Sequence, residues 1–428
     1  MSLTSDPSTS PQSRDGLDVG PATPDVQPAR PRLGRIAPVF LVAHFGWMLP
    51  VAAGGTLIQA LMEQIDADAK VALYAVLSVV GAVAGMLANI VFGALSDRTR
   101  TRWGSRNPWI LVGGLVAAAA VMTMSVAPSF ALLVVLWGVF QVSLNAFLGP
   151  LIAILADRVA PESLGKASSV VGVGQLLAQS LGGVVAASFL AVPRDGLKVV
   201  PLTLVVAALV VFFFARDTDN RGVPRPALNA RELLATFRVP RDADFLWALA
   251  GRFLLLLSFM LVVLYQLFVL TDYVGLTTEQ AAPVIATGGL IMAASSGLST
   301  LVSGPLSDWL GRRKALVMGA SFVLAFATVP LAVSPTVTSF YLFLAVGGFA
   351  YGIYVAVDQA LMAEVLPDQE NRAKDLGILN VANTGPQILA PVIAGVIVSL
   401  AGYRGIFVTA IVVAIVSALC IKPIRRVR

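Results

Sequence analysis

Gly93–Arg106 reads GALSDRTRTRWGSR: one acid, Asp97, then Arg98, Arg100, Arg102 and Arg106, set between two long apolar runs. Gly304–Lys314 reads GPLSDWLGRRK and repeats the opening, Gly-x-Leu-Ser-Asp followed by bases, again between apolar runs. Asp97 and Asp308 stand 211 residues apart in a chain of 428, about half its length. The sequence therefore reads as a doubled unit in which charged turns punctuate hydrophobic helices.

Composition agrees. Hydrophobic residues make up 57% of the chain and charged residues 13%, against roughly 25% charged in soluble domains. Apolar runs recur at the length of about 18 residues or more that a bilayer crossing needs. The fold class is thus an all-α membrane protein. The single cysteine, Cys420, excludes an internal disulfide, and the single histidine, His44, argues against a zinc site. No metal and no cofactor are expected. The net charge of +6 reflects bases gathered at helix ends, an orientation signal rather than affinity for nucleic acid.

In chain order, residues 1–35, rich in Ser, Pro, Asp and Gly, read as a disordered cytoplasmic tail. Twelve spans are predicted near 36–61, 71–95, 108–127, 130–155, 167–191, 198–215, 244–270, 280–303, 314–333, 338–362, 375–400 and 404–421. They form two halves, 36–215 and 244–421. The linker 216–243 carries six arginines and three prolines and could hold a short amphipathic helix at Ala230–Phe237; 422–428 is a basic tail. Nearly all bases fall in the tails and in the loops on one side. The other side holds Lys70, Arg194, Lys198 and Arg404. Twelve spans then place both termini in the cytoplasm of a cell with an inner (plasma) membrane.

The doubling extends beyond the two turns. A shift of 208 residues aligns Gln175 with Asn383, Gln179 with Gln387 and His44 with Arg252. Asp157–Pro161–Lys166 matches Glu364–Pro367–Lys374 with a one-residue gap. Three ionisable residues lie inside spans: His44, Arg252 and Asp358. Each costs about 2.5–3.5 kcal/mol at the centre of an inserted helix. Arg252 and Asp358 can offset one another as a pair, either structural or functional. The uncharged polar set within spans includes Gln59, Gln141, Asn145, Tyr265, Gln266, Gln359, Asn380, Asn383 and Gln387. Amides offer a donor and an acceptor each, which suits a neutral, hydroxyl-rich ligand; singly, such groups also serve as interhelical glue. Trp47, Trp137 and Tyr265 could stack on an apolar ring face. The small residues of Gly81–Gly85, GAVAG, read as packing.

The duplicated Gly-x-Leu-Ser-Asp turn resembles the signature loop of the major facilitator superfamily, a resemblance that covers essentially the whole chain after residue 35. DRTRTRWG, 97–104, with the Arg and Pro that follow, is similar to the sucrose and glycoside-pentoside-hexuronide symporter branch. Leu144–Asp157, LNAFLGPLIAILAD, resembles the span-four signature of plant-type sucrose transporters; where that signature has an acid and an arginine, this chain has Gln141 and Ile152. The resemblance implies two pseudo-symmetric six-helix halves with a cavity lined by spans one, four, seven and ten. It implies gating roles for Gly93, Asp97, Arg98, Arg106, Gly304, Asp308, Arg312 and Arg313. Asp358, His44 and Arg252 become proton-coupling residues, and Gln59, Gln141, Asn145, Tyr265, Gln266, Gln359, Asn383 and Gln387 become substrate-binding residues. The expectation is a monomeric transporter of a small neutral solute, a sugar or glycoside, coupled to protons. The alternatives are an exporter of amphipathic compounds and a non-transporting solute sensor. No nucleophile–base pair or metal constellation points to an enzyme.

Overall fold

The computed structural model describes residues 33–159, 163–215, 219–222, 242–365 and 372–424. The 1–32 tail, most of the linker with its Ala230–Phe237 segment, and the last four residues lie outside the described residues. So do the side chains of Gly304, Asp308, Gln359 and Asn380.

Every regular element among the described residues is helical. In the first half α1 is Leu33–Ile65, α2 Lys70–Arg98, α3 Asn107–Met124, α4 Phe130–Arg158, α5 Leu164–Phe189 and α6 Pro193–Phe214, the last bent between Val199 and Leu202. In the second, α7 comprises Ala243–Val263, Gln266–Phe268 and a π turn at Val269–Tyr273; α8 is Thr278–Leu310 and α9 Arg313–Val333. The next helix, α10, runs Val337–Leu342, a π turn at Phe343–Gly347, and Gly348–Val365. The final helical stretch, Arg372–Ile421, breaks at Gly402, whose φ of 66° suits a residue without Cβ. Its two arms, 372–401 and 403–421, are α11 and α12. They run antiparallel, because both return to the same level of α7: Arg252 Nε donates to Asn383 Oδ1 at 2.9 Å and Ser417 Oγ donates to the Gly251 carbonyl at 2.7 Å. Among the described residues eleven helices are long and apolar enough to cross a bilayer; the last is folded back on itself at Gly402, which makes twelve crossings among them.

Local sequence sets the boundaries. Ser129 caps α4 by accepting from Leu132 N, Asp242 caps α7 through Phe245 N, and Thr277 with Gln280 closes a capping box on α8. Gly311, at φ 57°, ends α8 in the left-handed region. The sixth span begins at Pro193, earlier than residue 198 as expected from hydropathy. Its first turn is not a loop: Arg194 Nη1 donates to the Ser125 and Ala127 carbonyls in the segment that follows α3.

Within each half, small residues set the helix spacing. Gly81 and Gly85 share one face of α2, and a Cβ on them would stand 2.2 Å from Trp137 Nε1 and 3.0 Å from Asn145 Nδ2 of α4. In the other half the glycines sit on the partner helix: a Cβ on Gly348 would meet Ser295 Oγ at 2.6 Å. One on Gly352 would meet Ser299 Oγ at 2.0 Å and the Ser296 carbonyl at 2.3 Å. Backbone cannot yield as a side chain can. Gly352→Val is therefore expected to lower the unfolding temperature in detergent, with an overpacking cost of about 1–3 kcal/mol; an unchanged melting curve would refute this account of the α8–α10 contact.

The halves meet where α5 packs on α8 and α2 on α11. Gly183 and Gly289 bring α5 and α8 together, a Cβ at Gly183 lying 3.1 Å from the Ile285 carbonyl. Ala75 and Gly395 do the same for α2 and α11, at 3.5 Å. These contacts lie toward the end remote from the basic loops, here the far end.

Candidate functional site

The described residues hold three polar clusters that bear on function. The first is buried in the second half. Arg252 of α7 donates through Nη1 to Asp358 Oδ2 of α10 at 2.5 Å and through Nε to Asn383 Oδ1 of α11. The pair is almost sealed, its side chains 10% and 2% exposed. One guanidinium thus ties three helices, and the expected pairing of Arg252 with Asp358 is present. Tyr354, one helical turn before Asp358, buries its hydroxyl without a hydrogen-bond partner among the described residues. Beside Arg252 in the same half, Tyr351 stacks on Phe259 with centroids 4.5 Å apart.

His44 does not join this cluster. It lies in the other half, buried, with Nδ1 3.0 Å from the Phe40 carbonyl of its own helix. Trp47 meets it edge-on at 6.5 Å. The shift of 208 that aligns His44 with Arg252 relates their positions; the ion pair exists in the second half.

The second cluster joins the halves at the far end. Lys70, at the start of α2, contacts Asp272 Oδ1 at 2.5 Å and Glu63 at 3.3 Å, with side-chain exposures of 9% for Lys70 and 27% for Asp272. Tyr403, just past the Gly402 break, donates to Asp272 Oδ2 at 2.7 Å. Deeper in, Gln59 of α1 reaches into the interruption of α7: Nε2 donates to the Leu264 carbonyl at 2.9 Å, and Oε1 accepts from Leu267 N at 3.1 Å. Gln266 donates back to Thr56 Oγ1 at 2.9 Å, and the Tyr265 hydroxyl donates to the Pro391 carbonyl at 3.0 Å. Gln59, Tyr265 and Gln266 thus have protein partners at the closure between the halves. Sequence reading missed Lys70, Asp272 and Tyr403. The available signal was that Lys70 is one of only four bases on its side.

The third cluster is the basic end. Asp97 Oδ1 accepts from Arg106 Nη1 at 2.9 Å, and the same nitrogen approaches Ser96 Oγ at 3.3 Å. Arg100 Nη1 donates to the Asp97 carbonyl. Gly93 lets α4 approach, a Cβ on Gly149 lying 3.7 Å from Gly93 N. Arg98 is half-buried beside them. Asn220, at the start of the linker, clamps this loop: its amide accepts from Thr101 N at 2.9 Å and donates to the Thr99 carbonyl at 3.0 Å. Its neighbours Asp219 and Arg221 pair on the surface, and the hydrogen bond from Arg221 holds the Asp219 carboxyl below its ordinary value. In the second turn Arg312 is exposed, and Lys314 Nζ donates to the Lys422 and Ile424 carbonyls that end α12. Gly304 and Asp308 of that turn have helical backbone.

The remaining amides disperse. Gln141 and Asn145 lie along the α2–α4 seam, where Asn145 Nδ2 donates to the Gln141 carbonyl and its Oδ1 accepts from Asn89. Trp137 turns to the Gly81 face of α2 and lies against Phe140, with ring centroids 4.9 Å apart. Gln387 is exposed, one turn beyond Asn383.

A two-half bundle of twelve crossings with charges buried between helices is the architecture of a secondary transporter. The Major Facilitator Superfamily profile matches residues 36–300 and 291–428, and the chain belongs to that family. Among solved structures it is similar to the human organic anion transporter MFSD10 (TETRAN), at 18% identity and a TM-score of 0.68, covering 92% of this chain and 100% of that one. It is similar to a point mutant of the nucleoside transporter NupG, at 14% and 0.70, covering 91% and 99%. A bacterial homologue of the human lysosomal transporter Spinster, inward-facing and occupied, matches at 14% and 0.68, covering 92% and 96%. At these identities the likeness is one of fold.

Proposed function

We propose that this chain is a proton-coupled symporter that moves a small uncharged solute, a sugar or glycoside, by alternating access. The observation that carries this reading is the sealed Arg252–Asp358–Asn383 cluster. Its charges are satisfied by one another, so no fixed charge is left over to recruit an ionic substrate. Asp358 can take a proton and in doing so surrender its ion pair. A group couples transport only if its interaction differs between conformations, and a cluster of three residues on three helices meets that condition when those helices move against one another. The narrower likeness of DRTRTRWG to the sucrose and glycoside branch points to the same substrate class.

Placing the basic end in the cytoplasm follows the distribution of Lys and Arg, with both termini inside and the protein in the inner (plasma) membrane as a monomer. The far end, shut by Lys70–Asp272 and Gln59, is then extracytoplasmic. The test is uptake into proteoliposomes. An inward proton gradient should drive accumulation of a sugar or glycoside, and a protonophore should abolish it. Accumulation that survives the protonophore, or that needs sodium, would overturn proton coupling. A thermal-shift screen over sugars, glycosides and hydrophobic drugs identifies the substrate class, since a ligand of the folded state raises its stability by mass action; stabilisation by the drugs alone would favour export of amphipathic compounds.

The loop Asp97–Arg106 pair is proposed as the cytoplasmic gate element, with Arg98 beside it and Asp308, Arg312 and Arg313 as its counterparts. Asp97→Asn should cut the initial rate severalfold while the solute still shifts the melting temperature. The Asp97 side chain is 56% exposed, so water screens the pair and the bond it removes is worth about 1 kcal/mol or less. A normal rate in that variant would dismiss the gate.

A further inference from the structure

The interruption of α7 is unusual in having no local cause. Residues 258–270, SFMLVVLYQLFVL, contain neither Gly nor Pro, the residues that ordinarily break a helix. Yet Ala243–Val263 stops, Tyr265 sits at φ −112° and ψ 19°, and helix resumes at Gln266. A continuous helix would join the Leu264 carbonyl to residue 268 and Leu267 N to residue 263. Here both groups turn instead to one side chain. Gln59, from the opposite half, donates to the Leu264 carbonyl and accepts from Leu267 N, as a peptide unit would. The site is dry: Gln59 is 2% exposed, Tyr265 and Leu267 0%. Thr56, one turn earlier on α1, takes the Gln266 amide.

We propose that Gln59 is a positioning residue of the far-end gate: its amide stands in for a peptide unit, holds α7 broken while the halves are shut there, and frees α7 to rewind when they part. The physical reason is that a buried backbone donor or acceptor left unpaired costs about 1–3 kcal/mol. Withdrawing Gln59 strands two such groups, and rewinding the helix is the local way to re-pair them. The break and the closure thereby become one event. The inference rests on the alternating-access reading but on neither the solute nor the proton.

The test is a distance measurement by pulsed electron resonance, in a Cys420→Ala background with labels at Val126→Cys and Ser334→Cys. These positions are exposed on far-end loops of opposite halves. Gln59→Leu should raise the population with the far end open about tenfold, the effect of losing two modest hydrogen bonds in one state only. Gln59→Asn keeps the amide but is one methylene too short and should behave likewise. If Gln59→Leu does not fold, Thr56→Val, which removes only the neighbouring bond, should shift the same population in the same direction. Hydrogen exchange at 260–270 should change together with the distances. Wild-type distances in these variants with a lowered melting temperature would make Gln59 a static tie and overturn the proposal. Wild-type distances with lost solute binding would overturn it in favour of a substrate contact. The distances are read without solute or gradient, so a failed uptake assay and a failed gate are distinguishable results.

Discussion

Asp358→Asn should abolish solute accumulation driven by a proton gradient, while exchange of labelled for unlabelled solute across the same membrane continues. Asparagine keeps nearly the shape of the aspartate and can still accept a bond from Arg252, but it cannot bind and release a proton. Exchange needs only the two conformations and the solute site; accumulation also needs the proton. The alternative is that Arg252–Asp358 is a structural tie. Breaking one side of a buried pair leaves an uncompensated charge, at a cost of about 3–5 kcal/mol. Arg252→Leu should show that cost directly, because it strands the Asp358 carboxylate at 2% exposure. The double variant Asp358→Asn with Arg252→Gln separates the two readings. Neutral amides at both positions restore a fully paired cluster with Asn383, so folding should recover in either case. Under coupling the double variant still exchanges and still fails to accumulate. If it accumulates solute in response to a proton gradient, Asp358 is not the coupling acid, and His44 is the remaining ionisable group inside the spans.

The sequence made the fold legible for a physical reason: a bilayer demands long apolar helices, and the Gly-x-Leu-Ser-Asp turn occurs twice at half-chain spacing. The all-helical, two-half architecture follows from those features, and the resemblance to the superfamily that the turn carries is borne out by the family profile. Arg252 and Asp358 could be paired on paper because intramembrane charges have few ways to be satisfied. The destination of the amides was not legible. An amide bonds equally well to a solute, a neighbouring side chain or a backbone group, and nothing near residue 264 announces a helix break. The sequence offers Gln59 as a solute ligand; in this conformation its amide is engaged by the open backbone groups of α7. The packing of Trp137 on Gly81 is equally hidden in the sequence, because the glycine lies on a different helix. Lys70 and Asp272 are weak signals in the sequence, because a charge at a span end costs little; Lys70 stands out only as one of four bases on its side, and its partner appears only once the helices are in place. The sixth span starts earlier than hydropathy predicts because Arg194, Asp195 and Lys198 lower the hydropathy of its first turn, where they are hydrogen-bonded.

Reversing one charge of the Lys70–Asp272 contact should have the largest effect on the balance between conformations. Asp272→Lys sets two ammonium groups against each other where an ion pair of 2.5 Å now stands, leaves Tyr403 without its acceptor, and keeps only Glu63 to compensate. Lys70 is 9% exposed at its side chain, so water screens the repulsion poorly. The penalty applies only while the halves are shut at this end, since parting them separates the charges. A state-specific term of roughly 1–3 kcal/mol moves the ratio of conformations by about five- to 150-fold. Transport should fall by a comparable factor, because a cycle that rarely closes this end rarely delivers solute to the other side. The same far-end distance measurement should show the open population predominating in Asp272→Lys. Lys70→Asp alone clusters three acids at 63, 70 and 272 and should open the end in the same way. Combining the two restores opposite charges at the same positions, and both the distances and the rate should return toward wild type; the return measures the coupling between the residues, free of what each change does alone. If each single reversal leaves the distances as they were, the contact is a surface ornament of the closed state, and Gln59 with its α7 backbone partners is left to hold this end by itself.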